Sequence, residues 1–307
     1  MKTPVVFIIF NRKETTHRVF EAIRQAQPTQ LFVIADGPRS DKIGEAEKCM
    51  ATRAIIDRVD WDCEVKTNYS DINLGCKLRP STGIDWVFKQ VEEAIILEDD
   101  CLPDPTFFAF CDEMLEKYRH DTRIMAIGGN NFQFGRQRTN DSYYFSRFPH
   151  CWGWATWRRA WAHFDIDIKL WPTVRDGDWL RDILTEDAQV KTWEQTFQSV
   201  YEHKIDTAWD YQWTFACWIN SGLAILPNTN LVTNIGFGAD ATHTTGGVNK
   251  LANMPVKGLT QPLQHPRFVV RDAAADRYTY QNIFDVTLLT RLKKAIVRYG
   301  LGRSNVS

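Results

Sequence analysis

The amino-acid sequence predicts an α/β protein built on a mostly parallel, doubly wound sheet. Short apolar runs recur along residues 1–130, and segments with the apolar spacing of an amphipathic helix separate them. This alternation is typical of a parallel sheet with right-handed crossovers and helices on both faces. After residue 130 the sequence becomes more polar and aromatic, which indicates a distinct subregion in the C-terminal half.

The first half of the chain is predicted to alternate strand and helix. The apolar runs predict strands over residues 4–10, 30–35, 63–68, 94–97 and 123–127. Helical spacing predicts helices over residues 13–26, 41–58, 79–91 and 106–119. On the second helix we expect four residues to point inward: Ile43, Ala46, Met50 and Ile55. We expect a loop to open at Asn73, ahead of the third helix.

The second half is predicted to mix loops, helices and one strand. We expect loops with a hairpin at 131–147, helices at 187–203 and 210–220, a strand at 223–227 and a glycine-rich loop at 236–247. Residues 1–130 and 131–285 then form two halves of one domain. Residues 286–307 form a basic amphipathic helix, which can lie on the anionic inner-membrane surface or dock on the domain.

The overall composition excludes several classes of protein. The 307 residues carry a formal net charge of −1, so nothing indicates a nucleic-acid partner. The cysteines are seven in number without a CxxC pair, which argues against a disulfide framework and a zinc site. No signal-peptide pattern and no bilayer-spanning run of roughly 20 apolar residues is present. We therefore expect a cytoplasmic protein whose membrane contact, if any, is peripheral.

The most informative stretch is the apolar run 94–97, which ends in three consecutive carboxylates, Glu98, Asp99 and Asp100. Open α/β sheets bind their ligands at the carboxyl ends of strands, where we expect this triplet to lie. Like charges repel, so the triplet indicates a cation, and oxygen ligands suit Mg²⁺ or Mn²⁺ with a substrate phosphate. The alternative is a solvated acidic turn. The two prolines that follow disfavour it, because they impose an extended exit from the strand.

Three further strand ends would meet at the same sheet edge, namely residues 10–12, 36–37 and 68–75. A carboxylate at Asp36 could bind a ribose or the imide N–H of uracil, and a plain Asp-Gly turn is the alternative. Neither GxGxxG nor GxxxxGK[ST] is present, which disfavours dinucleotide-binding and phosphate-loop folds. A diphosphate would then need a metal to neutralise it.

This order of elements resembles the GT-A-fold glycosyltransferases that use a nucleotide-diphospho-sugar. The segment LEDDCLPDPTFFAF resembles the metal-binding segment of the N-acetylglucosaminyltransferase that initiates complex N-glycans in animals, and of family-2-like bacterial transferases. The resemblance implies that Glu98 and Asp99 contact the nucleotide-sugar and that Asp100 ligates Mn²⁺ or Mg²⁺. The rest of the implied nucleotide-sugar site comprises Phe10, Asn11, Arg12, Asp36, Asn73 and Gly75.

A tryptophan-rich segment is the second part of the candidate site. Indole faces stack on sugars and glycine permits close approach of a ligand, so we expect Trp152, Gly153 and Trp154 to line the sugar or acceptor pocket. The resemblance supports this position, because a Gly-Trp segment follows the metal strand in those transferases. For any single tryptophan, packing in the core is the alternative.

Two later carboxylates are candidates for the general base of an inverting transfer. We expect Asp210, at a helix start among aromatic residues that would exclude water, to take the proton of an acceptor hydroxyl. Asp206 is the reserve candidate, and helix capping explains either residue equally simply. The resemblance also suggests that His243, in the glycine-rich loop, contacts the metal or the diphosphate, with a structural histidine as the alternative.

The sequence therefore predicts a metal-dependent inverting glycosyltransferase that moves a sugar from a nucleotide-diphospho-sugar, with UDP preferred, to a hydroxyl of a glycan or lipid-linked glycan. A sugar-1-phosphate nucleotidyltransferase is the nearest alternative, although residues 10–14 lack the glycines of its phosphate loop. A non-catalytic carbohydrate-binding protein that uses the tryptophans is the other, and it leaves the acidic triplet without a role.

Overall fold

The structure is a computed structural model and describes residues 1–237 and 250–285. The strands are β1 (Val5–Ile9), β2 (Gln30–Ala35), β3 (Glu64–Tyr69), β4 (Glu93–Glu98), β5 (Cys101–Pro103), β6 (Ile124–Gly128), β7 (Tyr143–Ser146), β8 (Trp154–Trp157), β9 (Leu223–Pro227) and β10 (Val232–Asn234). The helices are α1 (Lys13–Ala26), α2 (Glu45–Arg53), α3 (Gly75–Phe88), α4 (Thr106–Tyr118), α5 (Arg158–Trp161), α6 (Trp171–Asp176), α7 (Leu180–Ile183), α8 (Asp187–Tyr201), α9 (Asp210–Ile219) and α10 (Ala273–Thr279). A 3₁₀ turn, Ile56–Arg58, follows α2, and a π-helical segment, Tyr280–Phe284, continues α10.

One eight-stranded sheet organises the molecule, in the order β3-β2-β1-β4-β8-β6-β9-β7. Four of its neighbouring pairs are parallel: β1 with β2, β1 with β4, β2 with β3, and β6 with β9. The strands β7 and β8 run antiparallel to their neighbours. The predicted α/β class with a mostly parallel sheet is confirmed.

Helices cover both faces of this sheet because its central strands are apolar on both sides. Along β1, Val5 and Phe7 belong to a core that also contains residues of α1 and α4. The intervening Val6 and Ile8 belong to a second core with residues of α3, α8 and α9. Near-continuous apolar strands of this kind are typical of parallel sheets buried on two faces.

The second predicted helix differs most from its expected form. Helix α2 begins only at Glu45, since Gly44 adopts φ +77° and ends the preceding turn. Ile43 therefore lies outside the helix and is exposed, and Ala46 and Met50 point to solvent. The prediction that these three residues point inward is wrong, whereas Ile55 is buried as expected.

The tryptophan-rich segment supplies a strand that the sequence did not predict. Strand β8 lies between β4 and β6 and pairs antiparallel with both. The predicted hairpin at 131–147 is a single strand, β7, whose partner is β9. Helix α3 also begins at Gly75, earlier than predicted, because backbone N–H groups there find a carboxylate from another loop.

The connections create a switch point between β1 and β4. From β1 the chain moves outward through β2 to β3, and it then returns to the other side of β1 as β4. Crossovers leave a crevice at such a point, outside the carboxyl ends of the two strands. In the part of the chain that the structure describes, no helix is both long and apolar enough to cross a membrane.

Candidate functional site at the switch point

The acidic triplet lies at the carboxyl end of β4, next to the residues that follow β1. The parallel register of the two strands places Ile8 opposite Glu98. The backbone N–H of Phe10 donates to Asp99 Oδ2 at 3.1 Å. Arg12 Nη1 donates to Asp100 Oδ2 at 2.8 Å and lies 3.7 Å from Asp99 Oδ1. The structure thus brings together two of the strand ends that the sequence singled out.

Several carboxylates crowd together at this point. Burial, together with the charges of Asp100, Asp99 and Asp210, raises the pKa of Glu98 to about 8. Burial and the charge of Asp100 likewise raise the pKa of Asp99 to about 7, although Arg12 opposes the shift. Among the described residues, the ionised carboxylates repel one another and Arg12 opposes that repulsion, so a further cation would stabilise their charged forms.

Asp100 is held from a second side by the end of β10 and the residues that follow it. Asn234 Nδ2 donates to Asp100 Oδ1 at 3.2 Å, and the backbone N–H of Ile235 donates to the Asp100 carbonyl at 2.8 Å. Gly236 lies so close that a Cβ atom there would be 2.3 Å from Asp100 Oδ2. Only glycine fits at position 236 without displacing the carboxylate, so this backbone fixes where Asp100 points.

Asp36 sits at the end of β2 and organises the loop that leads into α3. Its Oδ1 accepts from the backbone N–H groups of Gly37 and Leu74, at 2.9 and 2.8 Å. Its Oδ2 accepts from Asn73 Nδ2 and from the N–H of Gly75, at 3.1 and 2.9 Å. These four hydrogen bonds give the carboxylate a structural role: it caps α3 and shapes the crevice wall.

Asn11 belongs to the same wall. Its Nδ2 donates to Glu45 Oε1 at 2.9 Å, and Glu45 is buried against Arg39. The guanidinium of Arg39 hydrogen-bonds the carboxylate and holds the pKa of Glu45 below its usual value. Glu45 was not predicted as a site residue, because nothing in the sequence separates it from the exposed acids around it.

The start of α3 also reaches across to the segment that precedes α9. Lys77, whose side chain is 8% exposed, donates to Asp206 Oδ1 at 2.7 Å. The neighbouring Cys76 Sγ donates to the carbonyl of Thr207 at 2.8 Å. Lys77 was not predicted from the sequence either, because its partner Asp206 lies 129 positions away along the chain.

The two candidate bases stand in different surroundings. The hydrogen bond and charge of Lys77 lower the pKa of Asp206, so that carboxylate is already paired with a cation. Asp210 is the first residue of α9, and its charge contributes to the raised pKa of Glu98, which places it near the triplet. The expectation that water is excluded there is wrong, because Asp210 is exposed. The buried aromatic neighbour is Trp209, which packs on Trp154 with ring centroids 5.6 Å apart.

The three residues of the Trp-Gly-Trp segment have separate surroundings. Trp154 lies in β8 with 1% exposure and packs against Trp161 and Trp213, so it belongs to the core. Gly153 adopts φ +65°, and a Cβ atom there would lie 2.7 Å from a methyl carbon of Val232. Trp152 is half-buried and is the member of the three that can face a ligand.

Trp152 is part of an aromatic row beside Asp100. Its ring contacts Phe237, with centroids 5.8 Å apart, and Phe132, with centroids 5.4 Å apart. Phe237 follows Gly236 directly, so the row begins next to the Asp100 carboxylate. An indole in this position offers a stacking surface for a sugar ring close to the acidic triplet.

The predicted metal site is described only in part. His243 and the C-terminal helix predicted over 286–307 lie outside the described residues. Within residues 1–237 and 250–285, no group of three or more His, Cys, Asp and Glu side chains is arranged to hold a metal ion. The adjacent carboxylates of the triplet would nevertheless suit a divalent cation that takes one carboxylate from the protein and its other oxygens from substrate and water.

Comparisons with known proteins give distant structural likenesses alone. No family model and no curated protein matches the chain. A 4-diphosphocytidyl-2C-methyl-D-erythritol synthase from Anaerococcus prevotii matches 62% of this chain and 81% of its own, with 10% identity and a TM-score of 0.32. A UDP-glucose pyrophosphorylase complexed with UDP-glucose matches 48% of this chain and 62% of its own, with 14% identity and a TM-score of 0.27. Similarities this weak do not assign a function.

Proposed function

We propose that the chain is a metal-dependent inverting glycosyltransferase of the GT-A type, with a nucleotide-diphospho-sugar as donor and a hydroxyl of a glycan or lipid-linked glycan as acceptor. The observation that supports this most is the acidic triplet at the switch point, where Arg12 contacts Asp100 and the charge of Asp210 acts on Glu98. A Mn²⁺ or Mg²⁺ ion on Asp100 would neutralise the donor diphosphate.

In this proposal three residues have separate roles in the transfer: Arg12, Trp152 and Asp210. Arg12, already at the triplet, lies where its guanidinium can hold the departing diphosphate in place. Trp152 offers a stacking face for a sugar. The acceptor oxygen bonds to the anomeric carbon from the side opposite the diphosphate, and the bond between that carbon and the diphosphate oxygen breaks. Asp210 takes the hydroxyl proton, and the nucleoside diphosphate leaves with the electron pair.

The main alternative is a sugar-1-phosphate nucleotidyltransferase, the kind of activity that the names of both structural neighbours suggest. Such an enzyme is expected to carry a glycine-rich phosphate loop between the first strand and the first helix. Here only residues 10–12 join β1 to α1, and none is glycine. This short connection favours the glycosyltransferase.

One set of assays separates the candidates. UDP-, GDP- and CMP-sugars are incubated with the protein and Mn²⁺, and release of the nucleoside diphosphate or monophosphate is measured with and without EDTA. We expect metal-dependent release from a UDP-sugar. Release of pyrophosphate from UTP and a sugar 1-phosphate, with no donor hydrolysis, would establish the nucleotidyltransferase. Sugar binding without turnover or UDP–Mn²⁺ affinity would establish a carbohydrate-binding protein.

A further inference from the structure

A second cluster of charge lies on the loop after β6, on the turn at Lys250 and on α10. Its five residues, which we call the cation–aromatic surface, are Phe134, Arg136, Arg138, Lys250 and Tyr278. The Arg136 guanidinium carbon lies 4.2 Å from the centre of the Tyr278 ring, and that of Arg138 lies 5.3 Å from it. Lys250 Nζ lies 5.0 Å from the centre of the Phe134 ring. Three cations therefore share two aromatic rings.

No carboxylate of the described residues forms an ion pair with these three cations. The nearby acids of α10 are engaged elsewhere: Asp276 is buried against Ser146 and Arg147, and Asp272 caps the helix by accepting from Ala275 N. Stacking on a ring leaves the edge of a guanidinium open to an anion. The surface thus carries positive charge that the described protein does not neutralise, in a chain whose net charge is −1.

The surface is fixed in place rather than being a set of loose side chains. Gln133 Nε2 donates to the Ala275 carbonyl at 3.2 Å and to Thr279 Oγ1 at 2.9 Å, which ties the loop to α10. Arg138 Nε donates to Gln133 Oε1 at 2.5 Å. The Nη2 atom of Arg138 is enclosed and meets no acceptor in the described structure. The hydrogen bond to Gln133 thus fixes Arg138, while Arg136 and Lys250 supply the accessible donors of the surface.

The loop backbone supports the same arrangement. Phe134 has φ +50° and the next residue, Gly135, has φ +84°, so two successive residues are left-handed. That conformation is unfavourable for a phenylalanine and persists only where the surroundings impose it. It leaves the Phe134 ring 37% exposed beside Tyr278, with their centroids 6.5 Å apart.

The loop that carries the cation–aromatic surface also supplies a ring of the aromatic row that begins at Asp100. Phe132, two residues before Phe134, contacts Trp152, which in turn contacts Phe237 beside Asp100. Phe132 itself is buried, so the chain rather than an open groove connects Trp152 to this surface. An acceptor long enough to pass from Trp152 over this loop would meet Arg136 and Lys250, both of which are exposed.

We infer that the cation–aromatic surface binds a phosphate or diphosphate group, and, as an extension of the proposed function, that the acceptor carries this group. Three cations suit the charge of a diphosphate better than that of a single carboxylate. Guanidinium groups bind phosphate oxygens through paired, charge-assisted hydrogen bonds. The acceptor would then be a phosphorylated or diphosphate-linked glycan rather than a neutral one.

The test uses inorganic pyrophosphate as the probe, in EDTA, with the full chain and calorimetric titration. The double variant Arg136→Gln/Lys250→Gln should bind pyrophosphate at least about tenfold more weakly, because two charged contacts are lost. The charge-matched control Lys169→Gln/Arg175→Gln changes two exposed cations of another region and should bind as the wild type does. Affinity for UDP with Mn²⁺ should be the same in all three proteins.

Several results would overturn the inference. Equal pyrophosphate affinity in the double variant and the wild type would do so, as would an equal loss in the control, which indicates general charge attraction. Glucuronate that displaces pyrophosphate at equal concentration would show a carboxylate site instead. If the wild type does not bind UDP with Mn²⁺, the proposed function is wrong. A selective loss of pyrophosphate binding in the double variant would even then support phosphate binding at the cation–aromatic surface.

Discussion

At the scale of single residues, two carboxylates four positions apart have been placed in unlike electrostatic settings. Asp206 is bound to Lys77, and its lowered pKa makes it a weak proton acceptor. Asp210 begins α9 and interacts electrostatically with Glu98 across the crevice. A base that serves the transfer needs access to an acceptor and proximity to the donor, and the setting of Asp210 suits this better.

We predict that Asp210→Asn lowers kcat for sugar transfer by about 10²-fold or more, while donor affinity stays within about twofold. The substitution keeps size and removes basicity, and a general base acts mainly in the transition state. The measurement is steady-state transfer with titrations of UDP-sugar and Mn²⁺. Asp206→Asn keeps a hydrogen-bond acceptor for Lys77 and leaves Asp210 unchanged, so it should lower kcat by no more than roughly tenfold, the loss expected when the Lys77–Asp206 ion pair is weakened.

The reverse pattern would contradict this assignment. If Asp206→Asn is inactive and Asp210→Asn turns over normally, the base is Asp206, four residues earlier in the segment before α9. The anomeric configuration of the product, measured by NMR, adds an independent check. A product with retained configuration would exclude a single-displacement transfer assisted by one base.

The residue scale also shows where sequence reasoning stops. An Asp-Gly at a strand end was correctly placed at the crevice, but the partners of Asp36 come from residues 73–75, and no local pattern specifies them. Trp152 and Trp154 look alike in sequence, yet one is half-buried and the other is fully enclosed by tryptophans. That difference depends on β8 entering the sheet, which is a tertiary event.

At the scale of elements, the first turn of α3 links the donor half of the crevice to the approach to α9. Asp36 caps this helix, and Lys77 on its first turn holds Asp206. The position of Asp210 relative to the triplet therefore depends in part on one ion pair. Lys77 is accordingly a positioning residue in our account.

We predict that Lys77→Met lowers kcat roughly tenfold and leaves the affinity for UDP with Mn²⁺ unchanged. Methionine fills the space, but it cannot hold the segment before α9 at the crevice. The stability cost should stay within about 1 kcal/mol, because Asp206 is 64% exposed and remains solvated. Transfer kinetics, calorimetric UDP titration and urea unfolding measure these three quantities.

The control for this variant lies at the other end of the same helix, one residue beyond its last turn. Lys89→Met alters an exposed lysine just past the C-terminal end of α3, and it should leave kcat unchanged. A fall in nucleotide affinity equal to the fall in kcat would show that Lys77 acts on the donor instead. Normal turnover in Lys77→Met would remove the positioning role.

Elements with strong periodicity were predicted well, and short or interrupted ones were not. Apolar runs identified β1, β2, β4, β6 and β9 because a strand buried on both faces needs such a run. The strands β5 and β10 are only three residues long and pair with each other, so they carry no readable pattern. Strand β8 was not predicted, because a short run of tryptophans is compatible with the lining of a ligand pocket as well as with a strand.

At the scale of the whole molecule, one buried histidine couples stability to pH. His150 packs between Phe132 and Phe148, and its Nε2 has no hydrogen-bond partner in the described structure. Burial lowers the pKa of His150 to about 3. In the unfolded chain an imidazole takes up a proton near pH 6.5. The folded protein therefore loses stability as the pH falls from about 6.5 towards 3.

We predict that His150→Phe removes this loss. Between pH 7.5 and pH 5 the wild type should lose about 2 kcal/mol of unfolding free energy through this group, since each unit below 6.5 costs about 1.4 kcal/mol. Urea unfolding at both pH values measures the difference between wild type and variant. His163→Gln, at an exposed position, is the control, and equal pH dependence in wild type and His150→Phe would disprove the coupling.

The whole-molecule prediction from sequence succeeded for the sheet and for the meeting of the ends of β1 and β4 at one edge, because strand order alone brings them together. It could not give the electrostatics of that edge, which depend on the burial of Glu98 and Asp99 and, among the described residues, on the opposing charge of Arg12. Those electrostatics are the physical basis for the cation proposed at the triplet.

The most direct test is therefore calorimetric titration of UDP in the presence and absence of Mn²⁺, with the wild type and with Asp100→Asn. We predict that Mn²⁺ raises UDP affinity of the wild type, and that Asp100→Asn loses roughly 100-fold or more of this metal-dependent gain while its fold is kept. Asp62→Asn, an exposed carboxylate at the opposite end of the sheet, should behave as the wild type does. UDP binding in Asp100→Asn that responds to Mn²⁺ as in the wild type would contradict the account.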